Sequence, residues 1–243
     1  MTDLYSKIVS TGSYLPQKIY TNHDIEKLVD TSHDWIVERT GIISRHIADE
    51  NESSVDMAYE ASCKALERSN LKNNDIDLIV VATTTPERKF PSTAVLLQSL
   101  LNNNKASAFD VNAACTGFIY ALDIADKYIK GGFAKNVLVV GTEKITSLID
   151  WSDRNTCVLF GDGAGAVILT ASQTPGLISN TIGSDGSYKD LLTVNTDTEV
   201  IEMRGNDVFK IAVNTMGKLA KKTLENSDYS VNNICLLYTS DAA

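Results

Sequence analysis

Apolar positions along the chain form two kinds of block, short continuous runs and longer amphipathic segments. The short runs are apolar on both faces, which is typical of strands buried in a layered sheet; they cover residues 76–82, 106–111 and 137–143. Helical spacing of apolar positions predicts helices over residues 54–69, 92–101 and 113–130. This alternation of strands and helices indicates an α/β fold with helices packed on the sheet.

The pattern changes after residue 160. The segment FGDGAGAVILTA (160–171) predicts a glycine-rich turn into another apolar strand, and QTPGL (173–177) predicts a connection. A second unit is expected from about Leu177, with a helix over residues 207–225. The apolar face of that helix is predicted to consist of Val208, Ala212, Met216, Leu219 and Leu224.

Composition and charge narrow the function classes. The chain has 243 residues, 43% of them hydrophobic and 22% charged, as in an ordinary globular protein. A net charge of −9 argues against general affinity for nucleic acid or for an anionic membrane. Apolar runs such as LIVVA (78–82) are too short to span a bilayer, and MTDLYSKIVS at the start has no signal-peptide core. A cytoplasmic protein is therefore expected.

Metal and phosphate sites are not favoured. The cysteines, at positions 63, 115, 157 and 235, have no CxxC spacing, and the three histidines all precede residue 47, so no metal site is expected. GDGAGA (161–166) lacks the spacing and the lysine of a nucleotide-binding loop and precedes a strand. Close backbone packing is the preferred interpretation of these glycines.

Cys115 stands where an apolar strand gives way to a helix. Asn112 is a plausible helix cap, and no charged residue occurs from Val111 to Leu122, so we expect Cys115 to be buried in the first helical turn. The free N–H groups and dipole there would favour a thiolate, the nucleophilic form of cysteine. The alternative is a small buried cysteine that only fills space. Local sequence leaves both open.

Five segments of the chain resemble a known family, and this resemblance favours Cys115 as a nucleophile over a buried cysteine that only fills space. They are GSYLP (12–16), TSHDWIVERTGI (31–42), FDVNAACTGF (109–118), FGDGAGAV (160–167) and GNDVFKIAV (205–213). In this order they resemble β-ketoacyl-[acyl-carrier-protein] synthase III, of the thiolase superfamily. The resemblance implies a thiolase-like layered α-β-α-β-α architecture, with a complete N-terminal half over residues 1–172 and a partial C-terminal half over 173–234.

The resemblance also implies a reaction. Cys115 would take the acyl group of a short acyl-CoA, and malonyl-acyl carrier protein would lose CO2 and attack the acyl-cysteine. The product, a 3-oxoacyl-carrier protein, initiates type II fatty acid synthesis. The implied partners are acyl-CoA, malonyl-acyl carrier protein and a second copy in a homodimer. No cofactor is implied, since the CoA thioester is a substrate.

Binding residues follow from the same resemblance. Trp35 and Arg154 would sandwich the adenine of CoA, Arg39 would meet the phosphates, and Thr31 would lie beside the adenine. From its local sequence, Trp35 is more simply a helix packing residue. The acyl or pantetheine passage would be lined by Phe90, Asn206 and Phe209. Lys210 would dock the acidic carrier protein, with Lys218, Lys221 and Lys222 on the same helix; a solvated helix face is the alternative for these lysines.

The sequence departs from the family at its end. The family's HQAN and GNTSAA-like motifs, which supply a histidine and an asparagine for decarboxylation, do not occur, and CLLYTSDAA (235–243) follows Ile234. We expect a C-terminally truncated member with a non-native tail at 235–243, unable to complete condensation. The alternatives are a thiolase-superfamily acyltransferase with a non-malonyl acceptor, or a non-catalytic acyl-CoA-binding fragment.

Overall fold

The computed structural model describes residues 4–237. Its strands are β1 (Tyr5–Tyr14), β2 (Lys18–Thr21), β3 (Ser44–Ile47), β4 (Leu78–Ala82), β5 (Ser107–Val111), β6 (Asn136–Glu143), β7 (Gly163–Ser172), β8 (Leu192–Val194) and β9 (Ile201–Met203). Its α-helices are α1 (Asn22–Ile25), α2 (His33–Thr40), α3 (Ser54–Ser69), α4 (Thr93–Leu100), α5 (Gly117–Lys130), α6 (Arg154–Cys157) and α7 (Gly205–Glu225). Of the expected tail, Cys235, Leu236 and Leu237 are exposed, and 238–243 lie outside the described residues.

The chain folds into two compact units, each assembled from separate segments. The first unit comprises the chain up to Lys18 with residues 46–144 and 162–178. The second comprises residues 19–45 and 145–161 with the chain from Ser179 onward. The proposed division into halves at residue 172 describes family architecture rather than this packing, and it stays a prediction.

A five-stranded sheet organises the first unit, in the order β1-β7-β6-β4-β5. β4 pairs in parallel with β5 and with β6, whereas β7 runs antiparallel to β6 and to β1. All five residues of β4 are buried, as the two-sided apolar run predicts. The buried strands expected over 76–82 and 137–143 are thus confirmed. The strand expected over 106–111 is present as β5, but its predicted burial is wrong, because β5 lies at an edge of the sheet and is only partly buried.

Helices cover both faces of this sheet, and the period of two along each strand decides which residue faces which helix. Ile79 and Val81 lie in one core cluster with residues of α3 and α4. Leu78 and Val80 lie in a second cluster with residues of α5. Each fully buried aliphatic side chain of this kind stabilises the fold by about 1.5–3 kcal/mol.

The helix starts follow local capping chemistry. Ser53 accepts a hydrogen bond from Asp56 N–H, and the Asp56 carboxylate accepts one from Ser53 N–H, so a capping box opens α3. Ser92, directly after Pro91, caps α4 by accepting a hydrogen bond from Val95 N–H. The predicted helices over 54–69 and 92–101 are therefore confirmed to within a residue at each end.

The second unit holds a smaller core. Ile25, Ile36, Ile149 and Cys157 pack together there, with Trp35 partly buried against them. The predicted helix over 207–225 is confirmed as α7, but none of its residues is buried. Of its predicted apolar face, Met216 is 52% exposed, and Val208, Ala212, Leu219 and Leu224 are half-buried.

Candidate active site

Cys115 lies in a 3₁₀ turn, Ala114–Thr116, between the end of β5 and the start of α5. The predicted position in the first turn of the helix is wrong by one short turn, since α5 begins only at Gly117 and Cys115 directly precedes it. The predicted cap is wrong: the turn is preceded by Ala113 rather than capped by Asn112, and it is closed by Thr116, whose N–H and Oγ1 both donate to Ala113 O. The backbone of Ala114 has φ +47°, a left-handed conformation that costs a non-glycine residue about 1 kcal/mol.

Cys115 is exposed, so the expectation of a buried thiol is wrong. The helix start packs on the sheet through Gly117, where a Cβ would lie 3.2 Å from Ala82 Cβ. Residues 114–116 lie outside the contact, and their small neighbours leave the thiol uncovered.

The carboxyl ends of three parallel strands surround this turn. β4, β5 and β6 end at Ala82, Val111 and Glu143, and Thr83 N–H donates to Val111 O. Parallel strands end at a common edge, where ligands of open α/β sheets bind. Cys115 thus lies at the edge of the sheet where α/β proteins usually bind their ligands.

The other cysteines lie in different environments. Burial raises the pKa of the Cys157 thiol and that of the Cys63 thiol, and so keeps both protonated. Cys235 is exposed but follows the last described turn of the second unit. Among the described cysteines, only Cys115 combines exposure with a place at the carboxyl edge of the parallel strands.

Two carboxylates beside this edge were missed by the sequence reasoning. Glu143 accepts hydrogen bonds from Thr84 N–H at 2.7 Å, from Thr84 Oγ1 at 3.0 Å and from Thr85 Oγ1 at 2.6 Å. Asp110 accepts from Thr93 N–H at 2.8 Å and from Ala94 N–H at 2.7 Å, at the start of α4. An acidic residue inside or at the end of an apolar strand is the signal that identifies such groups.

These carboxylates hold both ends of a loop over residues 84–92. Phe90 lies within it with 84% of its surface exposed. Burial raises the pKa of Glu143 despite the stabilising hydrogen bonds from the threonines. The loop thus has firmly held ends and an exposed aromatic side chain.

Trp35, Arg39 and Arg154 are brought together in the second unit. Ser32 caps α2 by accepting a hydrogen bond from Trp35 N–H. The guanidinium carbons of Arg39 and Arg154 lie 4.5 Å and 4.6 Å from the Trp35 ring centroid, the geometry of cation–π contacts. Trp35 therefore packs on the core, as its local sequence suggests, and also presents its ring to two cations.

The loop before α2 completes this cluster. Arg154 Nη1 donates to Asp30 O at 2.9 Å. Next to Asp30, the Thr31 hydroxyl is buried and has no hydrogen-bond partner among the described residues. Because buried polar groups are nearly always paired, this hydroxyl has the capacity to bond to a water molecule or to a ligand.

The remaining predicted residues lie on α7 and are exposed. Phe209 is 70% exposed, and Asn206 and Lys210 flank it on the first turns of the helix. Lys218, Lys221 and Lys222 are also exposed. We call Thr31, Trp35, Arg39 and Arg154 the Trp35 cluster. No hydrogen bond or ring contact within residues 4–237 joins Phe209 or Lys210 to it.

Two further features of the described residues, 4–237, concern metal binding and membrane spanning. Within residues 4–237, His, Cys, Asp and Glu form no group of three or more able to hold a metal ion. None of the helices there has the length and hydropathy required to cross a bilayer.

Comparison with known proteins agrees with the family resemblance found in the sequence. The family model for 3-oxoacyl-[acyl-carrier-protein (ACP)] synthase III matches residues 109–186. A β-ketoacyl-[acyl-carrier-protein] synthase III from Thioalkalivibrio sulfidiphilus is 52% identical over 235 residues, which cover 92% of this chain and 73% of that protein.

Solved structures agree on the fold. The 3-oxoacyl-[acyl-carrier-protein] synthase III of Aquifex aeolicus aligns with a TM-score of 0.92 at 48% identity and covers 95% of this chain and 75% of its own. The enzyme from Pseudomonas aeruginosa aligns with a TM-score of 0.89 at 35% identity, covering 95% and 73%. The architecture is therefore the expected thiolase-like α/β fold, and the chain belongs to the β-ketoacyl-[acyl-carrier-protein] synthase III family of acyltransferases.

Proposed function

We propose that the chain accepts an acyl group from a short acyl-CoA on Cys115. The Sγ atom attacks the thioester carbonyl carbon, the bond from that carbon to the CoA sulfur breaks, and the departing CoA thiolate takes up a proton. The observation that carries this proposal is the exposed thiol at the head of α5, on the carboxyl edge of the parallel strands. A covalent intermediate divides a difficult transfer into two easier steps.

The turn around Cys115 also offers a donor for the carbonyl oxygen. Thr116 N–H and Gly117 N–H donate to Ala113 O and Ala114 O, and no hydrogen bond among the described residues uses the N–H of Cys115. We assign this N–H to the oxyanion of the tetrahedral intermediate. A single such donor typically contributes about 3 kcal/mol to transition-state stabilisation.

CoA would be held by the Trp35 cluster. Its adenine would stack between Trp35 and Arg154, Arg39 would pair with its phosphates, and Thr31 would supply a hydroxyl beside the base. Arg39 and Arg154 already contact the ring of Trp35, which supports this assignment. Phe90, Asn206 and Phe209 would line the passage of the acyl chain and pantetheine.

In the family, the second half reaction would use malonyl-acyl carrier protein, whose decarboxylation supplies the carbanion that attacks the acyl-cysteine; residues 1–243 carry neither the HQAN nor the GNTSAA-like motif for this step. Lys210 is proposed to dock this acidic carrier protein. The reaction needs no cofactor and belongs in the cytoplasm. We further propose a homodimer: β5 pairs only with β4 within the described chain, and an open strand edge favours pairing with a second copy.

Mass spectrometry after incubation with acetyl-CoA tests the acylation. We expect a single acyl adduct that maps to Cys115 and disappears in Cys115→Ala. Cys235→Ser, which removes the other fully exposed described thiol, should leave the adduct unchanged. An adduct on Cys235 instead would contradict the assignment.

The same experiment separates the alternatives. Acyl-CoA binding without any adduct would favour the non-catalytic binding fragment. An adduct that transfers readily to alcohols or amines would favour an acyltransferase with a different acceptor.

A further inference from the structure

Arg45, on β3, is a buried cation without an acidic partner. Its surface is only 4% exposed, and no carboxylate pairs with it among the described residues. The guanidinium donates from Nη2 to Asn22 Oδ1 at 3.0 Å and to Val158 O at 2.8 Å, and from Nη1 to Tyr20 O at 3.4 Å. Its Nε has no partner within residues 4–237.

A buried guanidinium without an acidic partner reduces the stability of the fold. Burial of a charge without an opposite charge destabilises the folded state, and desolvation lowers the pKa of Arg45. The nearby Cys157 does not compensate it, since burial holds that thiol in its neutral form. A neutral side chain would fill this space with a smaller loss of folding free energy. We therefore expect the guanidinium to have a functional role.

The partners of Arg45 connect the two helices that form the Trp35 cluster. Val158 directly follows α6 as its C-cap, and α6 begins with Arg154. Asn22, the other partner of Nη2, donates from its Nδ2 to Ile42 O, directly after the end of α2, which carries Trp35. The Nη2 atom of Arg45 therefore links the end of α6 directly, and the segment that follows α2 through Asn22.

We propose that Arg45 is a positioning residue for the nucleotide clamp formed by Trp35 and Arg154. It fixes the separation of α6 from α2 and thereby sets where the Arg154 guanidinium lies relative to the Trp35 ring. The inference rests on the proposed function, because it requires that Trp35 and Arg154 hold the adenine of CoA. Arg45 contacts no substrate in this role.

The planar fork of arginine is what the arrangement uses. Nη2 donates to two acceptors on different segments while Nη1 reaches a third, and a lysine ammonium cannot reproduce this rigid geometry. Arg45→Lys keeps the charge and most of the volume but loses the fork. We expect it to raise the KM of Cys115 acylation for acetyl-CoA by about tenfold, the size of one charge-assisted hydrogen bond.

The decisive readout compares two thioesters. Acetyl-CoA carries the nucleotide, whereas acetyl-pantetheine lacks it and cannot use the clamp. Arg45→Lys should weaken acylation by acetyl-CoA and leave the rate with acetyl-pantetheine unchanged. Arg68→Lys serves as the matched control, because Arg68 also donates to a backbone carbonyl, Thr11 O, but lies on α3 in the first unit.

Each outcome decides the question. Equal losses with both thioesters, or no loss with either, would overturn the positioning role. Trp35→Ala and Arg154→Ala, assayed in parallel, test the proposed function: if they leave the KM for acetyl-CoA unchanged, the clamp itself is wrong and the inference falls with it. Should Arg45→Lys fail to fold, Asn22→Ala removes one acceptor of the fork and should give a smaller shift confined to acetyl-CoA; its absence would count against the role.

Discussion

Ala114 shows how much of the candidate site depends on one residue before the nucleophile. Its φ of +47° lies in the left-handed region, and this conformation turns the chain so that Cys115 follows β5 without entering the first turn of α5. The neighbours of Cys115 are small, and so they leave it exposed. The sequence predicted the small neighbours but not the turn, because an alanine gives no signal of positive φ.

This backbone conformation can be tested directly. Ala114→Gly removes the steric penalty of the left-handed region, and we expect it to raise the free energy of unfolding by about 1 kcal/mol. Ala114→Val places a β-branched side chain in the same conformation and should lower it by more than that. Chemical denaturation of both variants provides the measurement, and a stabilising valine would contradict the assigned conformation.

Packing of whole elements depends on close contact between β1 and α3. Gly12, in the GSYLP segment, lies where a Cβ would be 2.1 Å from Ala61 O and 2.6 Å from Ala65 N. The strand and the helix therefore meet backbone to backbone. Sequence periodicity predicted α3 and the central strands of the sheet but not β1, and the spacing between β1 and α3 is a tertiary property that a single glycine does not reveal.

Replacement of Gly12 should therefore be severe. We expect Gly12→Ala to lower the free energy of unfolding by roughly 3 kcal/mol, since neither backbone group can move aside. Gly165→Ala, on the adjacent strand β7 where nothing lies within 4 Å of the added Cβ, should be nearly neutral. Thermal unfolding followed by circular dichroism compares the two, and similar melting temperatures would refute the close contact.

For the molecule as a whole, the sequence predicted repeating features and missed long-range ones. Buried strands and amphipathic helices have local periodicity, so their positions were predictable to within a few residues. Other features depend on residues that the fold brings together from distant segments. Arg154 reaches Asp30 O, Glu143 holds Thr84 and Thr85, and Arg45 joins Asn22 to Val158; no local pattern encodes these pairs.

Glu143 gives the whole fold a component of pH dependence. Burial raises its pKa above the ordinary 4.5, so the folded state binds its proton more tightly than the unfolded state. Its contribution to stability is complete below pH 4.5 and is lost as the pH rises through the folded-state pKa. Glu143→Gln lacks this component, so we expect its stability relative to the parent to increase over that range.

Denaturant titrations at a series of pH values provide the measurement. Asp185, whose pKa is lowered by hydrogen bonds from Ser187, is the control of opposite sign: Asp185→Asn should lose stability relative to the parent as the pH rises from the folded-state pKa of Asp185 towards 3.8. A parallel response of Glu143→Gln and the parent protein at every pH would exclude a raised pKa at Glu143.

The spacing between Trp35 and Arg154 has a consequence for the entry of adenine. Two planes that enclose a third must stand about 7 Å apart, because each van der Waals contact takes about 3.5 Å. The guanidinium of Arg154 lies 4.6 Å from the ring, so the free protein has no gap of that width. In the proposed binding mode, the side chain of Arg154 therefore occupies the space beside Trp35 that adenine would take. Adenine can then enter between them only after Arg154 has moved off the ring of Trp35, a movement that also breaks its hydrogen bond to the carbonyl of Asp30.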